Sequence, residues 1–326
     1  MSTARRVCIH ETGEPEVMRL ETVQLEPPAP GQVRLRQTAI GFNYLDIYQR
    51  QGLYPLPLPS GLGHEAAGVV EALGPGVEGW RVGDRAACIN AGIGAYAEAR
   101  NVAAERLVPV PDAISDEQAA AVLFKGLTAQ YLLRITHRVQ PGDVVLVHAA
   151  AGGVGQILCS WAKALGARVL ATAGSAARCE LARAAGADIA VDYSQAQWVQ
   201  ALLEANGGRK ADVVYDSVGR ATFEQSLDCA APFGMVVLFG AASGPVPAFD
   251  PELLGRKGCL FLTRPSVFPH NADVGQLRAH AAELFDAVAR GWVPARVSQR
   301  FALADIVAMH RAAQARTTRG SVVIVP

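Results

Sequence analysis

The sequence predicts an α/β protein in two parts: a doubly wound parallel sheet, and a smaller, mostly β region ahead of it. Three observations lead there. The first hundred residues are dense in turn formers set between short β-prone runs. From near residue 115 onward, short β-branched runs alternate with helix-length ones. One of the strand-to-helix junctions is a run of small residues, His148 through Gly155.

In the first region Pro27, Pro28, Pro30 and Gly31 precede a strand at 33–36, and breakers follow at Gly61, Gly63, Gly74, Pro75, Gly76 and Gly83. Runs 71–73 and 85–89 read as strands joined by a loop. Ser115 is placed to cap a helix whose first turn carries Asp116 and Glu117. Strands are then expected at 144–148, 168–173, 189–192, 212–215 and 235–239. Helices at 154–165, 176–185, 196–205 and 223–229 separate them, and Gly166 and Gly186 act as stops. Parallel neighbours need a long return connection, so this alternation implies helices crossing over a parallel sheet. Beyond Pro265, 275–290 reads as a helix and 321–325 as a strand, too little for a third core. A return of that strand to the first region is left open.

Composition narrows the function classes. Half of the 326 residues are apolar (50%) and 18% are charged, enough for two buried cores. Thirty basic residues balance 30 acidic ones, so no global field draws the chain to nucleic acid or an anionic membrane. The 32 glycines and 19 prolines suit a loop-rich enzyme better than a helical bundle. Cys8, Cys88, Cys159, Cys179, Cys229 and Cys259 are scattered with no C-x-x-C pair, which argues against a disulfide framework or a zinc ribbon. Charges come too early at the N-terminus for a signal peptide, and no apolar run reaches the roughly 18 residues of a membrane span. The expected setting is cytoplasmic.

The sharpest motif is the run His148-Ala149-Ala150-Ala151-Gly152-Gly153-Val154-Gly155 between a strand and a helix. Small residues permit a tight turn and close approach of the backbone to a pyrophosphate, and the helix N-terminus offers N–H groups to it. Ala150 stands where the G-x-G-x-x-G pattern has its first glycine. The next strand ends Thr172-Ala173-Gly174-Ser175 without the acid that usually accepts from the ribose of NAD, and Arg178 follows. An arginine there can pair with a 2′-phosphate, so NADPH is the expected cofactor, with a solvated surface role for Arg178 as the alternative.

Several motifs together resemble the zeta-crystallin-like quinone oxidoreductases of the medium-chain dehydrogenase/reductase superfamily. They are Gly41–Asp46, Arg50–Pro55, Gly61–Gly68, Lys125–Thr128, His148–Gly155, Val214–Gly219 and Thr263–Ser266. The resemblance implies a GroES-like catalytic domain, residues 1–125 with 268–326, around a Rossmann-type dinucleotide domain, 126–267, with NADPH in the cleft. It implies Arg178, Tyr193 and Arg316 around the 2′-phosphate, Gly174 and Ser175 at the adenosine ribose, and Gly152, Gly153 and Val154 on the pyrophosphate. Asn43, Thr128, Phe239 and Ser266 would lie near the nicotinamide half, with Ser217 also counted among the cofactor residues. From the residues alone, Tyr193 reads equally as a core aromatic and Arg316 as a surface charge.

Zinc enzymes of the superfamily use Cys, His and Cys or an acid. Here the His64-Glu65 pair resembles their histidine site, but Asn43 stands at the first position and the third falls in Leu123-Phe124-Lys125. One imidazole is far from three ligands, so no metal is expected. A quinone or conjugated enone takes hydride into a delocalised system, needing mainly orientation and donors for the developing oxyanion. Asn43, Tyr48 and Tyr54 are the candidate donors, with Asp46 orienting them. Tyr48 reads equally as core packing, and Tyr54 as exposed on a loop. The resulting expectation is an NADPH-dependent, metal-free quinone reductase. An alkenal or enone double-bond reductase, and a non-catalytic NADPH- or RNA-binding protein, are the rivals. The resemblance also implies a homodimer formed at a sheet edge near 258–262, and neither nucleic acid nor membrane as a partner.

Overall fold

The computed structural model describes residues 2–326, which divide into two units. One runs up to Leu127 and takes in Phe268–Ala289 and Ala295–Pro326; the other is Thr128–Val267 with Arg290–Pro294.

The first unit is built mostly on antiparallel strands, with one parallel pair, Val297–Ala302 beside Ser321–Val325. Ser2–Ile9 pairs with Met18–Leu25 on one side and Ser60–Gly61 on the other. A larger sheet runs in the order Val297–Ala302, Ser321–Val325, Gln32–Gly41, Glu65–Leu73, Arg85–Cys88, Leu107–Pro109, and Ala99–Ala103 also pairs with Gln32–Gly41. The final strand therefore does return to the first region, Val323 lying opposite Gly41. Its first four residues are buried, so it is stable only between partners. Val7, Ile9, Val33, Leu35, Ile40, Leu107, Met309 and Ile324 fill this unit's core.

Two strands are longer than their apolar runs suggest. Gln32–Gly41 continues through Gln37, whose buried amide donates to the carbonyls of Ala95 and Ala97. Glu65–Leu73 begins on a fully buried acid. A polar residue inside a strand breaks the apolar pattern but not the ladder, provided it is hydrogen-bonded.

The second unit is a six-stranded parallel sheet: Ile189–Asp192, Arg168–Ala173, Val144–Val147, Ala211–Asp216, Ala230–Leu238, Phe261–Thr263. Counted along this unit the order is 3-2-1-4-5-6, which reverses direction beside Val144–Val147. Helices Gly153–Ala164, Ala176–Ala184, Trp198–Ala205 and Phe223–Cys229 make the crossovers. The fifth strand starts well before the expected 235, at Ala230, and carries Phe233 at φ 63 with a register shift opposite Ala211 and Val213. Pro232 and Gly234 hide that half from a sequence pattern.

Candidate functional site

In the second unit the strand Val144–Val147 is wholly buried and leads into the small-residue turn. Ala149 takes a left-handed conformation, φ 50, and Gly152 caps the helix that begins at Gly153. The residue needing positive φ is thus Ala149, not Ala150, which is how alanine stands at the pattern's first glycine. Gly155 has no such freedom: a Cβ there would lie 2.5 Å from the Ala149 oxygen and 2.7 Å from Ala150 Cα. The helix start therefore lies flush against the turn. Gly152, Gly153 and Val154 are partly exposed there, where first-turn N–H groups lack intrahelical acceptors.

The neighbouring strand ends at Ala173. Ser175 accepts from the Arg178 N–H at 3.4 Å and caps Ala176–Ala184. The Tyr193 N–H donates to the Ala173 oxygen, and its hydroxyl lies 3.3 Å from where a Gly174 Cβ would be. The fold thus brings Gly174, Ser175, Arg178 and Tyr193 together at the ends of two adjacent strands, and Tyr193 is only partly buried. Across the sheet, the Phe239 N–H donates to the Asp216 oxygen at 2.9 Å and the Ala242 N–H to the Ser217 oxygen at 3.1 Å. Thr128 is buried in the helix Asp116–Tyr131, and Ser266 is exposed between Phe261–Thr263 and the short helix Val267–His270. Arg316 belongs to the other unit, exposed at φ 57 just after the helix Ile306–Gln314.

In the first unit Asn43 ends the passage from strand Gln32–Gly41 and caps the helix Tyr44–Arg50. Its side chain accepts from the Asp46 N–H, and Asp46 accepts from the Asn43 N–H at 2.9 Å, a reciprocal cap. The Asn43 amide also donates to Glu65 Oε2 at 2.9 Å. Glu65 Oε1 takes the Phe124 N–H at 2.6 Å, and the Lys125 ammonium lies 3.6 Å from Oε2 without a hydrogen-bond partner. Burial pushes the Glu65 carboxyl upward, against the pull of Lys125 and the two donors. A Cβ on Gly41 would overlap both this carboxylate and the Ala120 carbonyl, so a glycine is what makes room for the acid.

Asp46 is buried too, and desolvation raises its pKa to about 7. Its partners include the Asn43 N–H at 2.9 Å and the Tyr96 hydroxyl at 2.8 Å, so it orients Asn43. Tyr44, Tyr48 and Tyr54 form an aromatic row with centroids 5.6 and 5.7 Å apart. Tyr54 is 38% exposed and Tyr48 intermediate, so neither is a closed core residue. Glu65, Lys125, Tyr96 and His310 were not singled out from the sequence. They come from distant parts of the chain, and only the motifs around Glu65 and Lys125 gave any signal.

The fit of a metal is decided by the donors. His64 donates through Nε2 to the Gln49 amide oxygen at 2.9 Å, and burial with Arg100 nearby lowers its pKa to about 4. Among the described residues no three His, Cys, Asp or Glu side chains gather to hold an ion. This donor set does not suit zinc.

Two family models match the chain, an alcohol dehydrogenase GroES-like domain over 29–112 and a zinc-binding dehydrogenase over 153–269. The zinc in the second description is not matched by the ligands found here. A quinone oxidoreductase of Pseudomonas aeruginosa is 48% identical over 99% of this chain and 100% of its own. A 2-haloacrylate reductase of a Burkholderia species is 43% identical over 98% of each. The crystal structure of an Escherichia coli quinone oxidoreductase complexed with NADPH superposes with a TM-score of 0.96, at 42% identity and over 100% of both chains. With a parallel sheet in this strand order, a small-residue turn and likeness from end to end, the chain belongs to the quinone oxidoreductases of the medium-chain dehydrogenase/reductase superfamily.

Proposed function

We propose that this protein is an NADPH-dependent quinone reductase that works without a metal. The observation that carries the reading is the small-residue turn, kept in a chain alike over its whole length to a quinone oxidoreductase solved with NADPH. The N–H groups at Gly152, Gly153 and Val154 hold the pyrophosphate at the helix start. Arg178 and Tyr193, beside Gly174 and Ser175, take the 2′-phosphate and ribose where no acid repels them. Arg316 is assigned to the same phosphate, Asn43, Thr128, Phe239 and Ser266 to the nicotinamide half, and Ser217 to the cofactor. When bound, NADPH supplies a hydride to an electron-poor acceptor. Asn43, Tyr48 and Tyr54 orient that acceptor and donate to its oxygen as negative charge grows there.

A second reading is reduction of an activated alkene, supported by the 43% identity to a 2-haloacrylate reductase. Initial rates on 1,4-benzoquinone and 2-chloroacrylate, each with NADPH and NADH, separate the two. The expected result is a higher kcat/KM for the quinone and for NADPH. Arg178→Ala should narrow the cofactor preference by about tenfold, the loss of one charge-assisted contact. Faster turnover of the haloacrylate, or equal rates with NADH, overturns the corresponding part.

The assembly proposed is a homodimer through the sheet edge Phe261–Thr263. Phe261 and nearby Phe233 are 60% and 72% exposed, and an apolar edge strand invites pairing. Phe261→Asp should convert dimer to monomer in sedimentation velocity; a wild-type monomer refutes the assembly. A cytoplasmic setting is supported by six unpaired cysteines, five of them buried. Among the described residues no helix is long and apolar enough to cross a membrane.

A further inference from the structure

We infer that His148 is a positioning residue for the cofactor turn, acting through a buried hydrogen-bonded tie across three strand ends; this rests on the NADPH reading above. His148 is fully buried directly after the strand Val144–Val147. Its Nδ1 is 2.6 Å from Thr172 Oγ1 on the neighbouring strand, and its Nε2 is 3.0 Å from Ser226 Oγ in the helix Phe223–Cys229. Ser226 Oγ lies 2.8 Å from Asp216 Oδ2, at the end of the strand on the other side. Thr222 Oγ1 reaches both Asp216 oxygens, and the Val218 and Gly219 N–H groups donate to Oδ1 at 2.8 and 2.9 Å.

The proton order follows from the groups themselves. Ser226 Oγ faces two groups that only accept, Asp216 Oδ2 and the Thr222 carbonyl at 2.9 Å, so its single proton is spent on them and it accepts from His148 Nε2–H. Nδ1 then accepts from the Thr172 hydroxyl. Burial holds the imidazole pKa down, in keeping with this neutral ring. The trio is not a nucleophilic site: the serine sits between histidine and acid, so no acid orients the imidazole as a base toward it, and all three are fully buried.

What the tie does is hold three loops. His148 precedes the left-handed Ala149, Thr172 precedes Ala173 and Gly174, and Asp216 precedes Ser217. Ligands of such sheets bind at these carboxyl ends, beside the point where strand order reverses. The backbone adds two clamps, His148 N–H to the Tyr215 oxygen and Ala150 N–H to the Thr172 oxygen, each at 3.0 Å. The Trp198 ring stands perpendicular to the imidazole, with ring centroids 5.5 Å apart. The strained Ala149 is thus gripped from both sides, and the imidazole of the residue before it ties the two flanking elements together.

The test uses the full-length protein, with NADPH and adenosine 2′,5′-bisphosphate affinities measured by fluorescence and urea unfolding as the check on folding. His148→Ala should raise the NADPH Kd about tenfold, the effect of one lost buried hydrogen bond. Its kcat at saturating NADPH and its KM for quinone should stay within about twofold. His148→Gln, which keeps one donor and one acceptor, should recover most of the affinity. A folded His148→Ala with wild-type affinity overturns the inference. So does a loss that glutamine does not restore, which would make the residue a space-filler. If His148→Ala does not fold, Thr172→Val removes only the Nδ1 partner and is read by the same outcomes. Wild-type protein that fails to bind NADPH overturns the cofactor reading and this inference with it, a result distinct from wild type and variant binding equally well.

Discussion

Asn43 presents its amide in one sense only. Its carbonyl is turned to the Asp46 N–H and its NH2 to Glu65, whose bonded partners are all donors. The second amide proton is what remains for an acceptor, so Glu65 sets the direction of a proposed catalytic donor. Lys125 supplies the counter-charge, 3.6 Å away with 8% of its side chain exposed. Breaking such a buried pair leaves one uncompensated charge, whereas removing both is far milder. Glu65→Gln is expected to cost about 3 kcal/mol. Lys125→Met is also destabilising, and the double variant should lose clearly less than the sum of the two. Urea unfolding of the four proteins measures this; an additive cycle would mean the side chains do not pair.

At the scale of elements, the helix Asp116–Tyr131 shows how local chemistry becomes structure. Ser115 Oγ accepts from the Gln118 N–H at 3.1 Å while Gln118 Oε1 accepts from the Ser115 N–H at 2.9 Å. This reciprocal cap is written in adjacent residues, and the sequence reading placed Ser115 correctly. Ser115→Ala should lower stability by about 1 kcal/mol, and Ser115→Asp should retain most of it, as read by thermal unfolding. Strands were less legible where polar residues point inward. Gln37 and Glu65 find their partners at Ala95, Ala97, Asn43 and Phe124, none of them local, so the runs 33–36 and 71–73 understate strands reaching Gly41 and beginning at Glu65.

For the molecule as a whole, burial of titratable groups makes stability depend on pH. Desolvation lowers the pKa of His310 to about 3 and of His64 to about 4, and lowers His148 as well. It raises Asp46 to about 7 and raises Glu65. Depressed histidines stabilise the fold above their unfolded value near 6.5, and lose that contribution as pH falls. Raised carboxyls act oppositely: their contribution is full below about 4 and is lost as pH rises through the folded value. Between about pH 4.5 and 6.5 His64 and His310, both held neutral in the fold, oppose Asp46, held protonated there, so from these three groups the unfolded chain binds about one proton more. Stability should therefore rise by about 1.4 kcal/mol per pH unit from pH 5 to 6. Urea midpoints at the two pH values test the sign, and His310→Phe should flatten the slope.

Sequence alone determined the class of the fold, the small-residue turn between strand and helix, and the family. Each of these is encoded in short runs of neighbouring residues, where turn geometry, capping and strand–helix alternation act. Tertiary structure decided the rest. It placed the last strand beside Gln32–Gly41, seated Glu65 against Gly41, Asn43 and Lys125, and joined His148 to Thr172, Ser226 and Asp216. Those partners are far apart along the chain. Burying a polar group is tolerable only when a distant part of the fold supplies its hydrogen bond, and no local pattern records which part that is.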